Sequence, residues 1–175
     1  MDPRVTHLEA LLARFRADLE EAYRALSEPL RSRRPSDGGW SADQVIEHLA
    51  ETEESILRLL TGFVSRSEVR TDAEFDPDQF AQMLDMPFFL DRSRRLEGRQ
   101  PRGALDAAEA WESLTQSRAG VLALLKQAEG RRLEDPAYPH PATGHDLNGY
   151  QWVAFLALHE GRHADQIRSV SRANR

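Results

Sequence analysis

The chain has 175 residues, a formal charge of −6 at neutral pH, 40 % hydrophobic and 30 % charged residues, and no cysteine. That length and balance suit one domain (1–175) with a substantial core, and the acidic charge argues against a general nucleic-acid-binding surface. The lack of thiols excludes disulfides, thiolate metal sites and a cysteine nucleophile, and the absence of a long apolar run leads us to expect a cytoplasmic protein that does not enter a membrane.

Asp2-Pro3 predicts a helix start, a capping residue followed by proline at the first helical position. Val5, Leu8, Leu12, Phe15, Leu19, Ala22 and Leu26 then repeat at steps of three and four, the seam of a bundle helix. This helix should end near Pro29 to Pro35, where Arg31, Arg33 and Arg34 suit a helix C-terminus. Ser41 and Gln44 predict a capping box, with Trp40 and Val45 as its hydrophobic staple. The second helix carries Val45, Leu49, Thr52, Ile56, Leu59 and Phe63 inward, to about Phe63. His48 sits at the edge of that stripe, with Glu51 one turn on.

Residues 64–101 are less regular. Asp76-Pro77 predicts a short helix stapled by Phe75 and Phe80, and Pro87 should break it. Phe88, Phe89 and Leu90 are expected under the bundle, and Gly98 to Gly103 as an exposed connection. The whole segment should lie over one end or side of the bundle. Asp106 and Glu109 predict a second capping box for a helix to about Gln127, with Trp111, Leu114, Val121, Leu122 and Leu125 buried. Gly130 stops it, and a proline- and glycine-rich loop without strands leads to Asn148 and Gln151, the cap of the last helix. Four long amphipathic helices predict an all-α four-helix bundle with a helical insert between the second and third.

The last helix runs Trp152, Phe155, Leu156, His159, His163, Ile167, Val170 along one face. Imidazoles at i and i+4 lie side by side and can reach one metal ion. His48 is the candidate third ligand. Whether it meets the pair depends on helix polarity and axial offset, which the sequence leaves open.

Gly39-Trp40-Ser41 leading to His48-Leu49 resembles the second-helix signature of the DinB/YfiT-like superfamily of small metal-binding bundles. His140-Pro141, Gly144, Leu147, Gln151-Trp152, Phe155, His159-Glu160, Arg162-His163 and Gln166-Ile167 are similar to its C-terminal signature. The resemblance implies a four-helix bundle, often a homodimer, with one divalent ion held by His48, His159 and His163. Such a set leaves coordination positions open and accommodates zinc, nickel, iron, manganese or cobalt. Two chemistries on a small-molecule substrate are then implied. One is transfer or isomerisation with a low-molecular-weight thiol. The other is hydrolysis, with Glu51 or Glu160, or water alone, as base.

Rival readings use the same residues. A non-catalytic metal- or ligand-binding bundle needs only the ion or a helix face. His159-Glu160-Gly161-Arg162-His163 also matches the H-E-x-x-H string of zinc proteases with Glu160 as base, but Gln166 stands where the longer metzincin form has glycine. Glu160, pointing about 100° from His159, can instead pair with an arginine of another helix. Gln166 is placed to orient the His163 ring. His140 and His145 are expected to be solvated near the mouth of the site, Trp40 and Trp152 to be packing residues, and the Arg31/Arg33/Arg34 and Arg92/Arg94/Arg95 clusters to be solvated helix ends.

Overall fold

The computed structural model describes residues 2–36, 38–71, 75–86 and 100–173. Their helices are α1 (Pro3–Arg24), α2 (Glu28–Arg31), α3 (Ala42–Arg66), α4 (Pro77–Leu84), α5 (Ala107–Gln127) and α6 (Gly149–Ala173). The caps explain the starts. The Asp2 carboxylate accepts from the Arg4 amide at 2.9 Å, and Asp76 accepts from Asp78 and Gln79. Reciprocal capping boxes join Ser41 with Gln44 and Asp106 with Glu109, and Asn148 and Gln151 exchange the same two bonds ahead of α6. Gly130, at φ +73°, follows α5 in the left-handed region that favours glycine.

Four long helices, α1, α3, α5 and α6, form the bundle. α1 packs mainly on α6, α3 mainly on α5, and α3 also meets α6. Two apolar clusters fix the helix directions. One joins Leu8 and Leu12 with Leu60, Phe63, Val121, Leu125 and Trp152 to Ala157. The other joins Leu19 and Ala22 with Val45, Leu49, Ala110, Leu114, Ala164 and Ile167. Along α1 and α6 the chain passes from the first cluster to the second; along α3 and α5 it passes from the second to the first. Thus α1 runs parallel to α6, α3 parallel to α5, and the two pairs are antiparallel.

Parallel neighbours require a long return. A 25-residue helix such as α3 spans about 37 Å, and the 67–106 connection starts at one end of the bundle and enters α5 at the other. At its start Val69 bridges to Arg131, and the α4 residue Phe80 packs edge-on to Tyr150. At its finish Gly103, Ala104 and Leu105 donate backbone N–H bonds to the buried Glu47 carboxylate. The insert is therefore the crossover that this topology needs.

Between the two clusters each bundle helix contributes one charged side chain: Arg16, Glu53, Arg118 and Glu160. Arg118 donates to both oxygens of Glu53 at 2.8 and 3.0 Å and lies 3.0 Å from Glu160. Arg16 donates from Nε to Glu160 at 2.8 Å and lies 3.6 Å from Glu53. Two cations and two anions close a polar layer across the core.

Several expectations are corrected. On α3 the buried stripe includes Ile46, Ala50, Glu53 and Leu60, with Thr52 and Leu59 only at its edge; a charge in the core disguised the apolar period. Arg118 hid the register of α5 in the same way, where Trp111 and Leu122 are part-buried. Phe15 is also only partly buried. The 131–148 loop holds a two-stranded antiparallel hairpin, β1 (Ala137–Pro139) and β2 (Asp146–Asn148), too short to leave a period in the sequence. The first arginine cluster does lie at a helix end, with Arg31 closing α2 and Arg33 and Arg34 exposed; Arg31 and Arg34 also donate to the backbone oxygens of Leu26, Gly38 and Gly39. Pro87 to Leu90 and Arg92, Arg94 and Arg95 lie outside the described residues. Among the described residues no helix is long and apolar enough to cross a membrane.

Removing one member of a buried network strands the opposite charge. Arg118→Ala should cost about 3–5 kcal/mol in urea unfolding, whereas Arg24→Ala, which breaks an exposed pair with Glu20, should leave the midpoint nearly unchanged. A loss below about 1 kcal/mol for Arg118→Ala would contradict the layer's role.

Candidate metal centre

His48 lies in the second turn of α3, and His159 and His163 share one face of α6. Because α3 and α6 run antiparallel with the second cluster between them, the start of α3 meets the second half of α6. Nε2 of His159 is 3.3 Å from Nε2 of His48 and 3.0 Å from Nε2 of His163. Candidate ligand atoms of all three lie within 4.8 Å of one another. Metal–nitrogen bonds of about 2.0–2.1 Å would separate two ligands by about 3.3 Å in a tetrahedron and about 2.9 Å at an octahedral right angle. The donor set fits a divalent ion. Facing lone pairs at this range repel unless a proton or a cation lies between them.

The surroundings aim the rings and keep His159 and His163 neutral. Nδ1 of His163 is 2.8 Å from Gln166 Oε1; with the amide oxygen as acceptor, the proton sits on Nδ1 and the Nε2 lone pair faces inward. The Trp40 ring lies 4.8 Å from His48 and stacks at 12° over His163, while Phe155 stacks on His159 at 5.0 Å. Burial, then the neighbouring His163, His48 and Arg162, hold His159 well below the usual imidazole range. Burial and His48 lower His163 to about 3, against the bond to Gln166.

The other expected residues are more dispersed. Glu51, one turn beyond His48, is largely buried, with its Oε2 lacking a hydrogen-bond partner and Arg102 at 3.8 Å. Glu160 is buried in the polar layer with Arg16 and Arg118, the inter-helix pairing allowed by its angle from His159. The protease reading of the H-E-x-x-H string requires that glutamate free beside the ion, and its pairing removes the basis for it. Among the described residues no carboxylate joins the histidine group.

His140 corrects an expectation: it is buried, stacked on Trp152 and edge-on to Phe155, and burial lowers it to about 4. His145 is exposed. Sequence reasoning missed Trp40 as the roof of the site and Glu47 as the anchor of the neighbouring 103–105 backbone. Their side-chain directions depend on the crossover, which no local pattern records.

The sequence profile of the DinB superfamily matches residues 11–167. This chain belongs to the DinB superfamily. It is 26 % identical over 152 residues to YuaE of Bacillus subtilis (strain 168), covering 84 % of this chain and 86 % of YuaE. Among solved structures, the DinB chain superposes on TT2238, described as a four-helix bundle protein, with a TM-score of 0.59, 21 % identity, and coverage of 93 % of this chain and 96 % of that one. YfiT from Bacillus subtilis, described as a probable metal-dependent hydrolase with an unusual four-helix bundle topology, matches with a TM-score of 0.60 and 17 % identity, over 98 % of this chain and 89 % of YfiT. At these identities the two structures establish the shared fold.

The histidines also set a pH dependence. Unfolded imidazole titrates near about 6.5, and folded His140, His159 and His163 lie below that value. Above it both states are neutral and stability is unaffected. As pH falls through it the unfolded chain takes up protons that the folded chain refuses, and stability drops. With chelator present, the urea midpoint should therefore fall between pH 7.5 and 5.5, less steeply in His140→Phe. A flat wild-type profile would contradict the lowered His140, His159 and His163.

Proposed function

We propose that this DinB-superfamily protein is a divalent-metal-dependent enzyme acting on a small molecule, with His48, His159 and His163 as the metal ligands. The observation that carries this reading is the convergence of three Nε2 atoms at 3.0 and 3.3 Å with no carboxylate in the group among the described residues. Three imidazoles satisfy part of an ion's coordination and leave the remainder for exchangeable ligands, as in catalytic rather than structural sites. When bound, such an ion supplies Lewis acidity that can polarise a substrate oxygen, acidify water or hold a thiolate.

The chain's own groups would do the rest. Gln166 would keep the His163 lone pair directed inward, and Trp40 and Phe155 would exclude water from the flanks of the rings. Glu51 and Glu160 each keep one buried oxygen without a hydrogen bond; Glu51 would be the proton acceptor near the site, and Glu160, whose charge is offset by Arg16 and Arg118 at its other oxygen, would be a poor one. Hydrolysis is the leading chemistry, supported by the description of YfiT. Thiol-dependent transfer is the second reading, supported by a ligand set that carries no negative charge and so leaves the ion able to bind an anion such as a thiolate.

Purified protein should retain about one divalent ion per chain, because the site supplies a complete imidazole face, and His159→Ala should lose most of it. Turnover on ester, amide and thiol-conjugation panels should require the metal and vanish in the same variant, and Glu51→Gln should reduce hydrolysis without releasing metal. Near-stoichiometric metal in His159→Ala would overturn the ligand assignment. A metal-loaded protein inactive on every panel would favour the non-catalytic reading.

A further inference from the structure

We propose that Arg118, on a helix that supplies no metal ligand, is a positioning residue for the histidine centre. The inference rests on the metal-site reading above and adds a component to it. Arg118 extends from α5 into the core and binds both ligand-bearing helices at once. Nε and Nη2 hold the two oxygens of Glu53 on α3, and Nη2 also reaches Glu160 on α6 at 3.0 Å. Nη1 donates to the Leu12 carbonyl of α1 at 3.2 Å. Glu160 follows His159 directly in the chain, and Glu53 lies less than two turns beyond His48.

The layer is a costly way to build a core. Desolvating two cations and two anions offsets much of their attraction, and well-packed apolar side chains of similar volume usually stabilise as much or more. What apolar residues lack is direction. Leucine stripes tolerate small slides and rotations of one helix on another, whereas a planar guanidinium fork binding two carboxylates permits little of either. A metal site requires that restriction, because ligands from separate helices must meet the ion with bond lengths good to about 0.2 Å. Arg16 closes the same frame from α1 through Glu160. Beside it the Phe15 ring lies so close to Gly161 that a Cβ there would come within 2.5 Å of it; a glycine next to Glu160 thus lets α1 approach α6 closely.

The test separates alignment from stability. Arg118→Lys keeps the cation but loses the fork. Leu8→Ala weakens the core in the other apolar cluster and touches no member of the layer. Wild type and both variants are stripped of metal and titrated with cobalt(II) at a temperature where circular dichroism shows each folded, and the visible cobalt spectrum is recorded. Arg118→Lys is expected to bind cobalt about tenfold or more weakly with a shifted spectrum. Leu8→Ala is expected to stay within about threefold of wild type with an unchanged spectrum, even if it melts lower. Should Arg118→Lys not fold, Glu53→Gln carries the same expectation. Binding by Arg118→Lys within about threefold of wild type and with the wild-type spectrum would overturn the positioning role, as would equal weakening in Leu8→Ala. Wild type that takes up no cobalt would overturn the metal reading itself, and this inference with it.

Discussion

The apposition of α3 and α6 in opposite directions is the constraint from which the rest of the protein follows. It places the start of one helix against the second half of the other, and so gathers His48, His159 and His163 at one point. Neither helix achieves this alone. Two imidazoles spaced four residues apart define a line on a helix surface; the third, from α3, turns that line into a triangle of nitrogens that could hold a metal ion. The second apolar cluster, from Val45 and Leu49 to Ala164 and Ile167, presses the two helices together there, and Trp40 closes the outer side.

The crossover serves the same arrangement. With α3 parallel to α5 and α1 parallel to α6, no short hairpin can link α3 to α5, so the chain travels the length of the bundle before re-entering it. The returning backbone is fastened to Glu47, the residue before His48, and Gln100 accepts a bond from the indole of Trp40. A topological requirement thus ends as part of the wall around the site. The bare imidazole set gives the centre a different electrostatic character from a carboxylate-rich one, since a bound dication would keep its whole charge for its remaining ligands.

Much of this was legible in the sequence because the signals were local. The Ser41/Gln44 and Asp106/Glu109 boxes set helix starts, Gly130 marked a stop, and the spacing of His159 and His163 needed only the helical period. Gln166 was readable for the same reason, one turn beyond its partner. The meeting of His48 with that pair was suggested by resemblance and not by spacing, since helix polarity is a property of the whole chain. Core charges were the main source of error. Glu53 interrupts the buried face of α3, so that Thr52 and Leu59 were taken as inward where the neighbouring Glu53 and Leu60 are buried, and Arg118 interrupts the buried face of α5. His140 was misjudged because proline and glycine neighbours suggested an open loop, while Trp152 and Phe155 cover its ring.

X-ray absorption spectroscopy at the zinc edge, on protein loaded with one ion per chain, addresses the central claim most directly. The account predicts three nitrogen scatterers at about 2.0–2.1 Å with the outer-shell pattern of imidazole, and the remaining coordination from light exchangeable ligands. A zinc ion with fewer than three imidazoles, or one held mainly by carboxylates, would contradict it.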